Sequence, residues 1–104
     1  MTEIIHLTTE TFDDAVKRGL VLVDFWAEWC SPCRMYGKVL EQFAEEAPAY
    51  LKIAKVEVQA NLKLAERFDI MSVPRTMLFR DGKPIAEADG VLTKMQLMEL
   101  LKKG

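Results

Sequence analysis

The sequence predicts an α/β fold in three layers, a central mixed five-stranded sheet flanked by four helices. Three observations predict it. Apolar runs of strand length alternate with segments of helical periodicity, in the order β-α-β-α-β-α-β-β-α. The run Leu20 to Trp26 is apolar on both faces apart from Asp24, as in a central strand covered on both sides. The last two strand-like runs flank Asp81-Gly82, a hairpin-turn pair, so the sheet is expected to be parallel first and antiparallel at the hairpin.

Each element has its own signal. Ile4 to Leu7 is a short strand. Thr8 and Thr9 can cap a helix carrying Phe12, Ala15 and Val16, which Gly19 ends. Tyr36, Val39, Leu40, Phe43 and Ala47 recur at helical spacing from about Cys33, and Pro48 closes that helix. Lys52 to Val58 alternates as a strand with one more polar face, and Asn61 can cap a short helix with Leu62, Ala65 and Phe68. Thr76 to Arg80 and Pro84 to Ala88 form the hairpin. Thr93 and Gln96 make a capping box for the last helix, with Leu92 stapled on Leu97.

With 104 residues, half of them hydrophobic, the chain is expected to be one domain that folds without disulfide staples or a structural metal. A net charge of -2 without a basic stripe argues against nucleic acid as a partner. The apolar runs are too short to span a bilayer, so no membrane association is expected. Met1 to His6 lacks a basic start followed by an apolar stretch, and a cytoplasmic location is the expectation. Abundant charge and no large apolar surface stretch favour a monomer.

The two cysteines, Cys30 and Cys33, follow the central strand and open a helix. A sulfur at that helix end is stabilised as thiolate, the form that attacks disulfides. Pro32 suits the first turn, where its missing N–H costs nothing. The three-residue spacing puts Cys33 on the same side, one turn further in. Cys30 can then attack a substrate disulfide and Cys33 can resolve the mixed disulfide. The other readings are a pair of core cysteines, a zinc site recruiting His6, or a metal or iron–sulfur cluster shared by two chains. Asp24 interrupts the apolar strand that feeds this turn. Burial is expected to raise its pKa, so that it can take the Cys33 proton during resolution. The alternatives are a pairing with a cation such as Lys55, or a place at a sheet edge.

The run from Asp24 through Trp26, Trp29, Cys30 and Pro32 to Cys33 resembles the thioredoxin family, as do Val73-Pro74, the Asp81-Gly82 hairpin and Gly90 before the last helix. The resemblance spans nearly the whole chain. It implies the thioredoxin-like fold as a single domain over 1–104. It implies Cys30 as nucleophile, Cys33 as resolving thiol, Asp24 as buried acid and Lys55 as its lysine partner. It implies a cis bond before Pro74, which would lie against the thiols. Trp29, Pro32, Val73 and Gly90 would line a groove for an extended substrate strand. Against these stand a plain strand-initial proline at Pro74 and a packing role for Trp29; the expectation is exposure for Trp29 and burial for Trp26.

Four positions depart from the family pattern. Ser31 replaces the usual glycine between the thiols. Lys38 stands where a kinking proline is common, so any bend must come from Gly37 or be absent. Arg75 replaces a small threonine after Pro74, and Asp89 an apolar residue before Gly90. Arg75 and Asp89 either make the substrate surface more charged, with Arg75 near the thiols, or point into solvent.

The function these residues imply is a protein-disulfide reductase, a thiol–disulfide oxidoreductase re-reduced by a thioredoxin reductase. No cofactor is required, because the electrons reside on sulfur. An oxidant or isomerase of protein disulfides is the alternative within the same chemistry, and a non-redox scaffold or binding subunit the alternative outside it.

Overall fold

The structure, a computed structural model, describes residues 2–104. Met1, where the N-terminal reading begins, lies outside the described residues. The elements follow the expected order: β1 (Ile4–His6), α1 (Phe12–Val16), β2 (Leu20–Trp26), α2 (Ser31–Glu46), β3 (Leu51–Glu57), α3 (Leu62–Arg67), β4 (Arg75–Arg80), β5 (Lys83–Asp89) and α4 (Lys94–Leu101). The five strands form one sheet in the order β1-β3-β2-β4-β5. β1, β3 and β2 are parallel, and β4 and β5 are antiparallel to their neighbours.

Strand alternation divides the core in two. Leu20 and Leu22 face α2 and α4, and pack with Leu40, Phe43, Leu97 and Leu100. Val21, Val23 and Phe25 face α1 and α3, and pack with Phe12, Val16, Leu64 and Phe79. β2 is thus covered on both faces, which explains why six of its seven residues had to be apolar. The hairpin turn has Asp81 at φ 49° and Gly82 at φ 84°, the paired left-handed conformation that Asp-Gly adopts most readily.

Several boundaries differ from the sequence expectation. α1 begins after Thr11, and no side chain caps it. The backbone N–H of Thr8 bonds the Thr11 hydroxyl, while the N–H of Thr9 donates to Asn61 Oδ1 at 2.8 Å. Asn61 does sit at the N-cap position of α3, but its side chain holds Thr9 and donates to the Glu57 carbonyl, so it does not cap the helix. A long-range tie between two loops has displaced the local bond. β3 begins one residue early, at Leu51, and α2 begins at Ser31 rather than near Cys33. α4 carries the expected capping box, Thr93 with Gln96.

Candidate active site

The thiol turn is shaped by the end of β2 and the start of α2. Cys30 is the N-cap of α2, and its sulfur accepts the N–H of Cys33 at 3.1 Å. Cys30 and Cys33 form a disulfide, with Cα atoms 5.2 Å apart, inside the range such a bond requires. Cys30 retains slight exposure and Cys33 has none, so the first sulfur is the one that a partner can reach. The Val73–Pro74 peptide bond is cis, and the Val73 carbonyl oxygen lies 3.8 Å from Cys30 Sγ. The N–H of Gly90 donates to the Pro74 carbonyl at 2.9 Å, which joins the turn before α4 to this wall of the site. Trp29 is 65% exposed, and with Leu62, Ile70, Met71 and Val73 it lines an apolar cleft beside the thiols. Pro32 is exposed in the first turn of α2.

Beneath the turn lies Asp24, 1% exposed and with neither carboxylate oxygen hydrogen-bonded. Burial pushes its pKa up to about 7, against the opposing pull of the Lys55 charge. Lys55 is its neighbour in the β2–β3 register. The two make no ion pair; the Lys55 ammonium instead sits over the Trp26 ring, 4.6 Å from its centroid. It also lies 3.4 Å from where a Cβ on Gly37 would stand, so Gly37 leaves room for the cation.

The family model described as thioredoxin matches residues 3–103. The chain belongs to the thioredoxin family. A thioredoxin of Chlamydia muridarum is 42% identical over 103 residues, covering 99% of this chain and 98% of that one. A thioredoxin of Staphylococcus saprophyticus is 39% identical over 100 residues, covering 96% of each chain. The Cys30–Cys33 pair is therefore a redox centre, and the protein a protein-disulfide reductase that works by thiol–disulfide exchange.

The four departures from the thioredoxin pattern each have a structural answer. The Ser31 hydroxyl turns outward and accepts from Arg34 Nη2 at 3.0 Å, while Arg34 Nη1 donates to the Glu28 carbonyl at 2.9 Å. α2 runs unbroken through Gly37 and Lys38. Arg75 neither stands free beside the thiols nor points into solvent. Its side chain is 17% exposed, and its guanidinium pairs with Glu87 at 2.7 Å and with Asp89, its partner in the β4–β5 register. These carboxylates neutralise the guanidinium charge. Trp26 is only half-buried, at the end of β2, and Lys55 covers one face of its ring. His6 lies exposed on the edge strand β1, in register with Lys55.

Sequence reading passed over Arg34, Tyr36 and Thr76 as polar members of this region. Thr76 had a signal: it is the one hydroxyl in the otherwise apolar middle of β4, and it falls opposite Asp24.

Proposed function

We propose that the chain, as a single domain over 1–104, reduces disulfides in other proteins with Cys30 as nucleophile and Cys33 as resolving thiol. The Cys30 thiolate attacks a substrate disulfide. A Cys30–substrate bond forms and one substrate sulfur leaves as thiolate. Cys33 then gives its proton to the Asp24 carboxylate and attacks Cys30. The Cys30–Cys33 bond forms, the mixed disulfide breaks, and the second substrate sulfur departs and takes up a proton. Two electrons have passed from the pair to the substrate. Lys55, close to Asp24 but not bonded to it, favours the ionised carboxylate.

Trp29, Ser31, Pro32, Val73, Arg75 and Gly90 surround the thiols as the substrate surface, with Pro74 setting the Val73 backbone against Cys30. Disulfide-bearing proteins are the substrates, and a thioredoxin reductase returns the electrons. The protein works in the cytoplasm as a monomer, without a cofactor. Among the described residues no helix is long and apolar enough to cross a membrane.

The observation that carries this reading is the asymmetry of the pair: the Cys30 sulfur caps α2 at the surface, and Cys33 is wholly buried one turn behind it. Replacing Cys33 with serine should trap mixed disulfides between Cys30 and substrate proteins, while Cys30→Ser traps none and reduces nothing. Equilibration of the pair with a glutathione buffer should place its potential at the reducing end of the range. A value at the oxidising end would reassign the protein to disulfide formation or isomerisation.

A further inference from the structure

A second buried polar group lies beside Asp24. In the antiparallel β2–β4 register Asp24 stands directly opposite Thr76, so the two side chains share a face of the sheet. Leu22 and Leu78, opposed in the same register, belong to the core under α2, which identifies that face. From α2, one turn beyond Cys33, Tyr36 reaches down to it, and its hydroxyl lies 2.7 Å from Thr76 Oγ1. Tyr36 and Thr76 are both fully buried.

Two hydroxyls carry two O–H donors, and the bond between them uses one. One buried proton is left over, whichever oxygen donates. Close by, both oxygens of Asp24 are buried acceptors without a partner among the described residues. Leaving such groups unmatched costs about 1–3 kcal/mol apiece, more when one is charged. The other ionisable groups on this face cannot meet the need. Lys55 from β3 is held over Trp26. Glu57, next along β3 on the same face, accepts the N–H groups of Glu28 and Ala60. Cys33 from α2 is the proton's source. β4 sets the uncharged Thr76 opposite Asp24, and its Arg80 lies exposed at the far end of the strand, donating to the Gly104 carbonyl. His6 of β1 is exposed and separated from Asp24 by Lys55. Burial, partly offset by the Thr76 bond and reinforced by the Asp24 charge, raises the Tyr36 pKa, so its hydroxyl keeps its proton.

We propose that Tyr36 and Thr76 are positioning residues for Asp24: Tyr36 donates to Thr76, and Thr76, opposite Asp24 in the register, donates its own proton to the carboxylate, directly or across one water molecule, whenever Asp24 is ionised. The pair thereby favours the base form that Cys33 needs. This rests on the reading of Asp24 as the acceptor of the Cys33 proton.

The test is the titration of the Asp24 carboxyl carbon, followed by 13C NMR in the oxidised full-length protein. Thr76→Val keeps the branched shape and removes the hydroxyl. It should raise the midpoint by about one pH unit, because a donor to the charged form has gone. Thr76→Ser should return the midpoint to its original value, which a merely structural role of the methyl group would not do. Tyr36→Phe should move it upward as well. In the unsubstituted protein, the Tyr36 ring carbon bearing the hydroxyl should shift with the Asp24 midpoint. An unmoved or lowered midpoint in Thr76→Val, failure of serine to restore it, or a Tyr36 signal blind to Asp24 overturns the proposal. The resolution rate of Asp24→Asn is a separate readout. An unchanged rate there would sink the proton-acceptor role of Asp24 and leave the midpoint result standing on its own.

Discussion

The two faces of the sheet are built from the same strands and differ in what they bury. Under α1 and α3 the packed cluster is apolar, and the buried Asn61 sits at its margin, bonded to Thr9. Phe12, Phe25, Phe68 and Phe79 form an aromatic cluster, with Phe79 edge-on to Phe12 at 5.5 Å and to Phe68 at 5.4 Å. Under α2 the same strands bury Asp24 and Thr76 within the pleat, with Lys55 half-buried beside them, and α2 adds Tyr36 and Cys33. Alternation along β2 does the sorting: Val23 and Phe25 go one way, Asp24 the other. Each face therefore has one task. The aromatic side can hold the sheet firmly enough for the other side to keep an unpaired carboxylate, which alone would weaken the fold.

That division can be broken, and the largest effect is expected on the aromatic side. Phe79→Ala should cost about 3–5 kcal/mol in denaturant unfolding, since its ring is fully buried and the cavity would be lined by other rings. The Asp24 midpoint in the folded variant should stay where it was. A shift would mean the faces are coupled through the sheet. Asp24→Asn should have the opposite sign. In the folded chain Asp24 keeps its proton up to about 7, whereas its ordinary value is 3.8. Between those values the folded state binds more protons, so its stability falls as pH rises. Asn removes that loss. The gain over the parent should be absent below about pH 4 and grow to the order of 4 kcal/mol above pH 7, at the cost of slower resolution. A gain that does not vary with pH would contradict the burial account. The smallest change belongs to the rim. Asp89→Ser removes one carboxylate from Arg75 and leaves Glu87, and Asp89 is itself 63% exposed. Thermal unfolding should register less than about 1 kcal/mol. A larger loss would place Arg75 within the supporting core rather than at the edge of the groove.

The fold was legible because its signals are local or periodic. The two-sided apolar run of β2, the Asp-Gly turn and the Thr93 capping box each depend on neighbours in sequence. Asn61 was misread for the converse reason. Its side chain answers to Thr9, 52 residues away, and no local pattern reveals that competition. In the site, Cys30, Cys33 and Asp24 stood out because each is chemically out of place in its segment. Arg75 did not reveal its partners, since cross-strand pairing with Asp89 depends on the register that follows the bulge at Leu78/Phe79. Tyr36 looked like one more apolar position of α2. Only the strand opposite it shows why a hydroxyl belongs there.

One hydrogen bond of the thiol turn ties reactivity to architecture. The amide of Cys33 that closes the first turn of α2 closes it on the sulfur of Cys30. One sulfur of the redox pair and the cap that starts the helix are one atom. Charge arriving on that sulfur tightens the turn, and loosening the turn makes the charge harder to hold. Any redesign of how α2 begins is thus also a change to one sulfur of the redox pair, even when no residue in contact with substrate has been altered.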